Sequence, residues 1–307
     1  MPGDLLDRRF IAVIGKGGTG KTMVSAALAL RAAASGKRVL VAMAQAQERI
    51  SAMLETEKVG SRNQNILANI DAVNLDPDVC LEEYGIMILR IRALYKAVMD
   101  NRLVKGFLRA VPGMDAWSML GKVLYHAKEM EDGRKRYDLV ILDAPATGHG
   151  LSMLKVPQVI VDVAPPGLLR READDGIATL RDPRATAAVV VTLPEEMPTA
   201  ETEELVARLE KEVGIRASLL VVNQVLAPLF VSRAGAATKA AHALEAVGPF
   251  APLGRAARSR LTREGIQSTM LQRLTKLGLP TIELPMLAVE RLNRGHVEQM
   301  SKRLIAS

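Results

Sequence analysis

The chain is poor in cysteine and in aromatic residues. Cys80 is its single cysteine, so no disulfide can form within the chain and no Cys-x-x-Cys metal knuckle exists. Such usage suits a reducing compartment. Phe, Tyr and Trp together make up 3% of the residues, so the core must be built from Ala, Val, Leu, Ile and Met. A membrane span needs roughly 18 or more consecutive apolar residues, and no such run occurs. The first residues, MPGDLLDRRF, lack the apolar centre of a secretion signal. No internal repeat or low-complexity linker interrupts the chain. A soluble, cytoplasmic protein is expected.

Hydrophobic residues account for 49% of the 307 and charged ones for 24%, enough for a sizeable core and unlike a disordered chain. The length fits two domains or one large α/β unit, and it is read here as one domain spanning 1–307. Net charge is +7, with basic clusters at Arg134, Lys135 and Arg136 and at Arg255, Arg258, Arg260 and Arg263. Aromatics are not interleaved with these bases, so stacking on single-stranded nucleic acid has little support. A solvated basic surface is the simpler reading, and nucleic acid is not the expected partner.

Short, β-branched apolar runs mark buried parallel strands: FIAVIG (10–15), RVLVAM (38–43), YDLVILDAP (137–145), TAAVVVTL (186–193), ASLLVVNQ (217–224) and TIELP (281–285). Between them lie helical patterns such as TMVSAALALRAAASG (22–36) and ETEELVARLEKEV (201–213), the latter with Glu-to-basic pairs at helical spacing. PQVIVDVAP (157–165) fits strand or helix. Alternation of strands and helices predicts a mostly parallel sheet covered on both faces by helices. Residues 80–132 read differently. Met87, Ile91, Leu94 and Val98 recur at helical spacing, and Leu103, Phe107, Val111, Trp117, Leu120 and Leu124 continue the apolar supply. No strand is evident there, which predicts a helical insertion between the second and third core strands. A second helical stretch spans about 233–278.

The most specific chemistry lies at 15–22, GKGGTGKT. It fits G-x-x-x-x-G-K-[ST] between a strand and a helix, the context that gives this phosphate-binding motif its meaning. Gly15, Gly17, Gly18, Thr19 and Gly20 allow successive backbone N–H groups to turn inward around phosphate oxygens, and the following helix adds the positive end of its dipole. Lys21 can reach the β and γ phosphates and the Thr22 hydroxyl can bind Mg²⁺. ATP or ADP with Mg²⁺ is therefore the expected ligand set. Asp143 ends a strand where an acid would hold the same metal through water.

Lys16, a second lysine at the start of the loop, makes the motif resemble the deviant Walker A group, which includes ParA, MinD, the nitrogenase iron protein and the arsenite-pump ATPases. That resemblance implies a nucleotide-sandwich dimer in which Lys16 reaches the partner's nucleotide. LDAPATGHGL (142–151) resembles the D-T-A-P-T-G-H switch segment of the ArsA and Get (TRC) ATPases, matching at Asp143, Thr147, Gly148 and His149, with Ala144, Pro145 and Ala146 in place of Thr-Ala-Pro. VPGMDAW (111–117) resembles the family's Pro-Gly-Ile/Met-Asp-Glu segment, with Ala116 in place of Glu. VVNQV (221–225) resembles its adenine-side segment, which implies Asn223 as a base contact. ELPMLAVE (283–290) resembles its late loop, which implies Pro285, Met286 and Leu287 against the adenine. The resemblance runs from about residue 10 to 307.

Departures from the family narrow the function. The arsenite-binding members use three cysteine thiolates, which Cys80 alone cannot supply, so no arsenite site is expected. The Cys-x-x-Cys zinc clamp of the eukaryotic targeting factors is missing. Where the family's switch I reads Asp-Pro-Ala-His, this chain reads Gln45, Ala46, Gln47 and Glu48. A neutral glutamine can orient the attacking water but cannot take a full proton. A positioned base contributes about 10²–10⁴ in rate, so slow hydrolysis is expected. Lys16, Gln45 and Asp143 are the residues expected at the chemistry. Met87, Met99, Met114, Met119 and Met130 concentrate in the helical region, where they could line a groove for an apolar client helix or fill a core. The reading is an ArsA/Get-type switch ATPase, as a homodimer or a heterodimer with a paralogous ATPase. Two others stay open: a ParA/MinD-like positioning ATPase on DNA or membrane, and a weakly active subunit beside an active paralogue.

Overall fold

The computed structural model describes residues 2–44, 47–104, 106, 111–229 and 234–304. Its centre is an eight-stranded sheet. The strands are β1 (Phe10–Ile14), β2 (Val39–Ala44), β3 (Gln64–Leu67), β4 (Ile70–Leu75), β7 (Leu139–Asp143), β8 (Thr186–Thr192), β9 (Ala217–Val225) and β10 (Thr281–Pro285). Their order across the sheet is β10-β9-β8-β1-β7-β2-β4-β3. All neighbours are parallel except β3, which returns antiparallel along β4 at the edge. A two-stranded hairpin of β5 (Met130–Glu131) and β6 (Arg134–Lys135) stands apart from it.

β1, β2, β7 and β8 are buried along their whole length, as continuous apolar runs in a doubly covered parallel sheet must be. On one face, Ile11, Val13, Val41 and Ile141 pack under α1 (Lys21–Ala34) and α11 (Arg294–Leu304). On the other, Phe10, Ala12, Leu40 and Leu142 meet α5 (Met114–Lys128) and α6 (Thr147–Val163). α8 (Glu196–Arg208) and the end of α10 (Ala251–Thr275) complete that face through Leu205 and Leu274. α3 (Pro77–Leu89), α4 (Arg92–Asp100), α7 (Leu168–Arg181) and α9 (Ala234–Glu245) lie around these layers, after the short α2 (Ile50–Leu54).

The expected strands are present to within a residue or two. Three differences have physical reasons. First, β3 and β4 sit between the second expected strand and the helical region, and β4 extends the sheet beside β2. Asp71 and Asn74, half-buried on opposite faces of β4, interrupt its apolar run, which hid it in the sequence. Second, residues 157–163 are helical, continuing α6 through Pro157. Third, the helix expected at 201–213 begins at Glu196 and ends in a π-helical turn, Leu209–Val213.

Among the described residues of 80–132, the main elements are α3, α4, α5 and the short β5. The region is entered through Asp76, which caps α3 by accepting from the Val79 amide at 3.0 Å, with Pro77 at the first turn. α5 is part of the main core: Met119, Leu120, Val123 and Leu124 press onto the sheet. Met114 packs with Trp117 and Tyr84 in a smaller cluster, whereas Met130 is exposed. Two of the five methionines are thus core residues. Phe107 lies outside the described residues.

Candidate functional site

β1 delivers the chain into the Gly15–Gly20 loop at the carboxyl end of the sheet, where ligands of open α/β folds gather. Two glycines there cannot be replaced without moving backbone or a key amide. Gly15 has φ 151°, and a Cβ on it would lie 2.1 Å from the Val191 carbonyl oxygen of β8. Gly20 has φ 95°, and a Cβ would lie 2.3 Å from Asn223 Nδ2. Gly18, at φ 85°, has open space where a Cβ would stand, so its requirement is the left-handed backbone alone. Gly17 faces Ala146, at the start of the segment that follows Asp143.

Lys21 is buried, and its Nζ donates to the carbonyls of Gly15 (3.0 Å) and Lys16 (3.1 Å), so the side chain folds back under the loop. Burial lowers its pKa, offset by the charge of Asp143. The Thr22 hydroxyl donates to Asp143 Oδ2 at 2.6 Å. Asp143 is 1% exposed and its Oδ1 has no hydrogen-bond partner among the described residues. Burial pushes its pKa up to about 6, against the opposing pull of the Thr22 hydrogen bond, the Lys21 charge and the nearby Ser25 hydroxyl. A buried carboxylate oxygen without a partner beside a threonine hydroxyl is a donor set suited to a hard divalent cation and its waters.

Asn223, at the end of β9, donates from Nδ2 to the Thr19 carbonyl at 2.9 Å and accepts the Gln224 amide on its Oδ1. It therefore ties the phosphate loop to the next cavity. That cavity, of about 450 Å³, is lined by Leu193–Glu196 after β8, Gln224 of β9 and Leu226 just after it, Met286 after β10, and Arg263, Ile266 and Gln267 of α10. Gln267 accepts the Leu226 amide (2.8 Å) and donates to the Leu226 carbonyl (3.0 Å), fixing the strand's exit. Its size and mixed lining suit a nucleoside. Met286 N bonds Val225 O at 2.9 Å and the side chain lines the cavity. Leu287 instead packs against the core cluster under α1, and Pro285 closes β10. The contribution of α10 was not legible in the sequence, since nothing in the spacing of Arg263, Ile266 and Gln267 distinguishes a cavity wall from a helix surface.

Lys16 donates to Glu201 Oε1 of α8 at 2.5 Å, with both side chains about a third exposed. Within one chain the second lysine of the loop is thus held by its own α8. Glu201 was a further residue the sequence did not single out. His149 is exposed on the first turn of α6, and the Thr147 side chain lies outside the described set. Gln45 and Ala46 also lie outside the described residues. Their neighbour Glu48 accepts from the Ser51 amide at 2.8 Å and from its hydroxyl at 2.6 Å, so its carboxylate caps α2.

Comparison with known proteins places the chain in a family. The sequence profile of the anion-transporting ATPase (ArsA) family matches residues 8–164 and 170–239. ATPase BagA of Mycobacterium tuberculosis is 26% identical over 325 residues, covering 99% of this chain and 94% of that protein. ATPase get3 of Neurospora crassa is 27% identical, covering 72% of this chain and 74% of that one. A putative arsenical pump-driving ATPase of Halobacterium salinarum is 28% identical, covering 72% of this chain but 36% of its own length. The chain belongs to the anion-transporting ATPase family, a family of ArsA- and Get-type ATPases built on a P-loop α/β fold.

Proposed function

We propose that this chain is an ATP-binding switch of the ArsA/Get type that dimerises around its nucleotide and turns it over slowly, acting on an apolar client or a protein partner in the cytoplasm. The observation that carries the reading is the joining of Gly15–Thr22, Asp143 and Asn223 into one site by the bonds Thr22–Asp143 and Asn223–Thr19. The loop amides and Lys21 bind the phosphates. Asn223 and the cavity beside Met286 take the base. The orphaned Asp143 Oδ1 and the Thr22 hydroxyl fit Mg²⁺, which when bound would neutralise charge developing on the phosphates.

Lys21 must release the Gly15 and Lys16 carbonyls to meet a phosphate, and Thr22 must turn its hydroxyl from Asp143. Binding therefore exchanges the internal bonds of Lys21 and Thr22 for ligand bonds, while Asp143 Oδ1 gains a partner. Lys16 is proposed to leave Glu201 for the nucleotide of a partner subunit, which is the dimeric step. The arsenical chemistry in the name of the Halobacterium relative does not transfer: Cys80 is fully buried and its thiol is pushed up to about 11 by that burial. Among the described residues no helix is long and apolar enough to cross a membrane.

Calorimetry with ATP and with ADP, each with Mg²⁺, tests the reading on the parent protein and on Lys21→Ala. Binding in the parent and at least a tenfold loss in the variant is expected. No heat of binding from either nucleotide in the parent would end this reading.

A further inference from the structure

A second cavity lies at the far end of α1 from the phosphate loop, roughly 20 Å away at helical rise. It measures about 570 Å³. Its walls are the last turns of α1 (Leu30, Ala33, Ala34), the β3–β4 turn (Leu67–Ile70) and one face of α11. The floor is aliphatic, with Leu30, Ala33 and Leu67 continuous with the main core. The rim is basic: Arg31, Arg294 and Lys302, with Glu298 as the one acid among the lining residues.

The polar groups of the rim divide into spent and free. Glu298 is held by Arg294 at 2.8 Å, and the Ser301 hydroxyl donates to the Glu298 carbonyl at 2.7 Å. Arg31 and Lys302 have no ion-pair or hydrogen-bond partner among the described residues. Each sits in the last turn of its helix, where it also complements the helix dipole. That accounts for a basic residue in each place. It does not account for both flanking one aliphatic recess of a volume typical of small-ligand sites.

We infer that this cavity binds a small anionic amphiphile, a monomeric acyl carboxylate, with the chain on Leu30, Ala34, Leu67 and Ala68 and the carboxylate between Arg31 and Lys302. Charge complementarity selects the sign of the head group, and the aliphatic floor selects the body. The site is independent of the nucleotide reading, although α1 connects the two.

The test is calorimetric titration of the full chain with decanoate below its micelle concentration, with decyltrimethylammonium as the charge-reversed control. Saturable one-to-one binding of decanoate is expected, with no saturable binding of the cation. The Arg31→Gln/Lys302→Gln double variant and Ala34→Phe, which fills the recess from an exposed wall, should each weaken decanoate at least tenfold. Circular dichroism and thermal unfolding confirm that each variant is folded. Failure of decanoate to saturate, equal binding of the two detergents, or folded variants that bind like the parent would each overturn the site. So would retention on phosphatidylglycerol vesicles with no binding of the monomer, which would make the rim a membrane contact instead.

Discussion

Replacing Asp143 by Asn should make the nucleotide-free protein more stable at neutral pH and remove its response to Mg²⁺. Asp143 is 1% exposed, and burial raises its pKa from 3.8 to about 6. The folded state therefore keeps a proton between those values where the unfolded chain has lost it. Stability from this group is greatest below pH 3.8 and is lost as pH rises through about 6. About two pK steps correspond to about 3 kcal/mol of cost once the carboxylate is ionised. Asn carries no charge and keeps an acceptor for the Thr22 hydroxyl, and the charge-assisted part of that 2.6 Å bond is already contained in the net rise of the Asp143 pKa. The nucleotide-free variant should then exceed the parent by up to about 3 kcal/mol at pH 7.5 and match it near pH 3.5.

The response to ligand should run the other way. A ligand at a hundred times its Kd stabilises a folded protein by about 2.7 kcal/mol. The parent should gain on this scale from a non-hydrolysable ATP analogue with Mg²⁺, and the part that depends on Mg²⁺ should vanish in Asp143→Asn. Urea unfolding at both pH values, with and without Mg²⁺ and the analogue, separates the effects. A nucleotide-free variant less stable than the parent at pH 7.5 would refute the burial reasoning. Equal gains from Mg²⁺ in both proteins would refute the metal assignment.

Other residues of the site give further expectations. Gly15→Ala should destabilise the protein by about 1–3 kcal/mol or more, because the added methyl meets the rigid Val191 carbonyl at 2.1 Å; urea midpoints within error of the parent would contradict this. Glu201→Gln should free Lys16 and favour nucleotide-dependent dimerisation by up to about 1 kcal/mol, roughly fivefold in affinity, since the pair it breaks is partly solvated. Lys16→Ala should abolish that dimerisation, and light-scattering masses identical across parent and both variants would count against a role for the pair. Gln45→Asp should speed single-turnover hydrolysis by about tenfold or more, within the range of a positioned base. Unchanged rates in both Gln45→Asp and Gln45→Ala would place the handling of water elsewhere.

What could be read in advance followed from how locally each feature is encoded. The phosphate loop is local: its glycines are required by left-handed backbone at Gly18 and Gly20 and by close approach at Gly15. The central strands are local as well, since burial on both faces leaves unbroken apolar runs. β4 was missed because it lies near the sheet edge, where Asp71 and Asn74 are tolerated and the run breaks. Asp71 is retained there because it accepts from the Tyr137 hydroxyl at 2.7 Å, a contact across 66 residues. Glu201 was missed for the same kind of reason, being 185 residues from Lys16. α6 was ambiguous because PQVIVDV is apolar on most sides, and its burial against Trp117 and Tyr84 through Val156 and Ile160 is a tertiary fact.

The sheet also constrains where water would be handled. β2 pairs in parallel with β7, and Met43 stands opposite Asp143. β2 ends at Ala44, so the chain leaves the sheet beside the carboxylate proposed to hold the metal. The register thus ends β2 at the same end of the sheet as Asp143. Glu48, the one acid of that segment, spends both carboxylate oxygens on Ser51 to start α2. Releasing it would unsatisfy the helix N-terminus, at a cost typical of a lost cap, about 1 kcal/mol. Asp143 cannot substitute as base, because the same carboxylate is the proposed metal holder and is bonded to Thr22. In the proposed mechanism a glutamine at 45 would orient water without accepting its proton, which would then leave to the phosphate or to solvent. The slow turnover proposed above would follow from that division of roles, and with it the long-lived nucleotide-bound state that a switch requires.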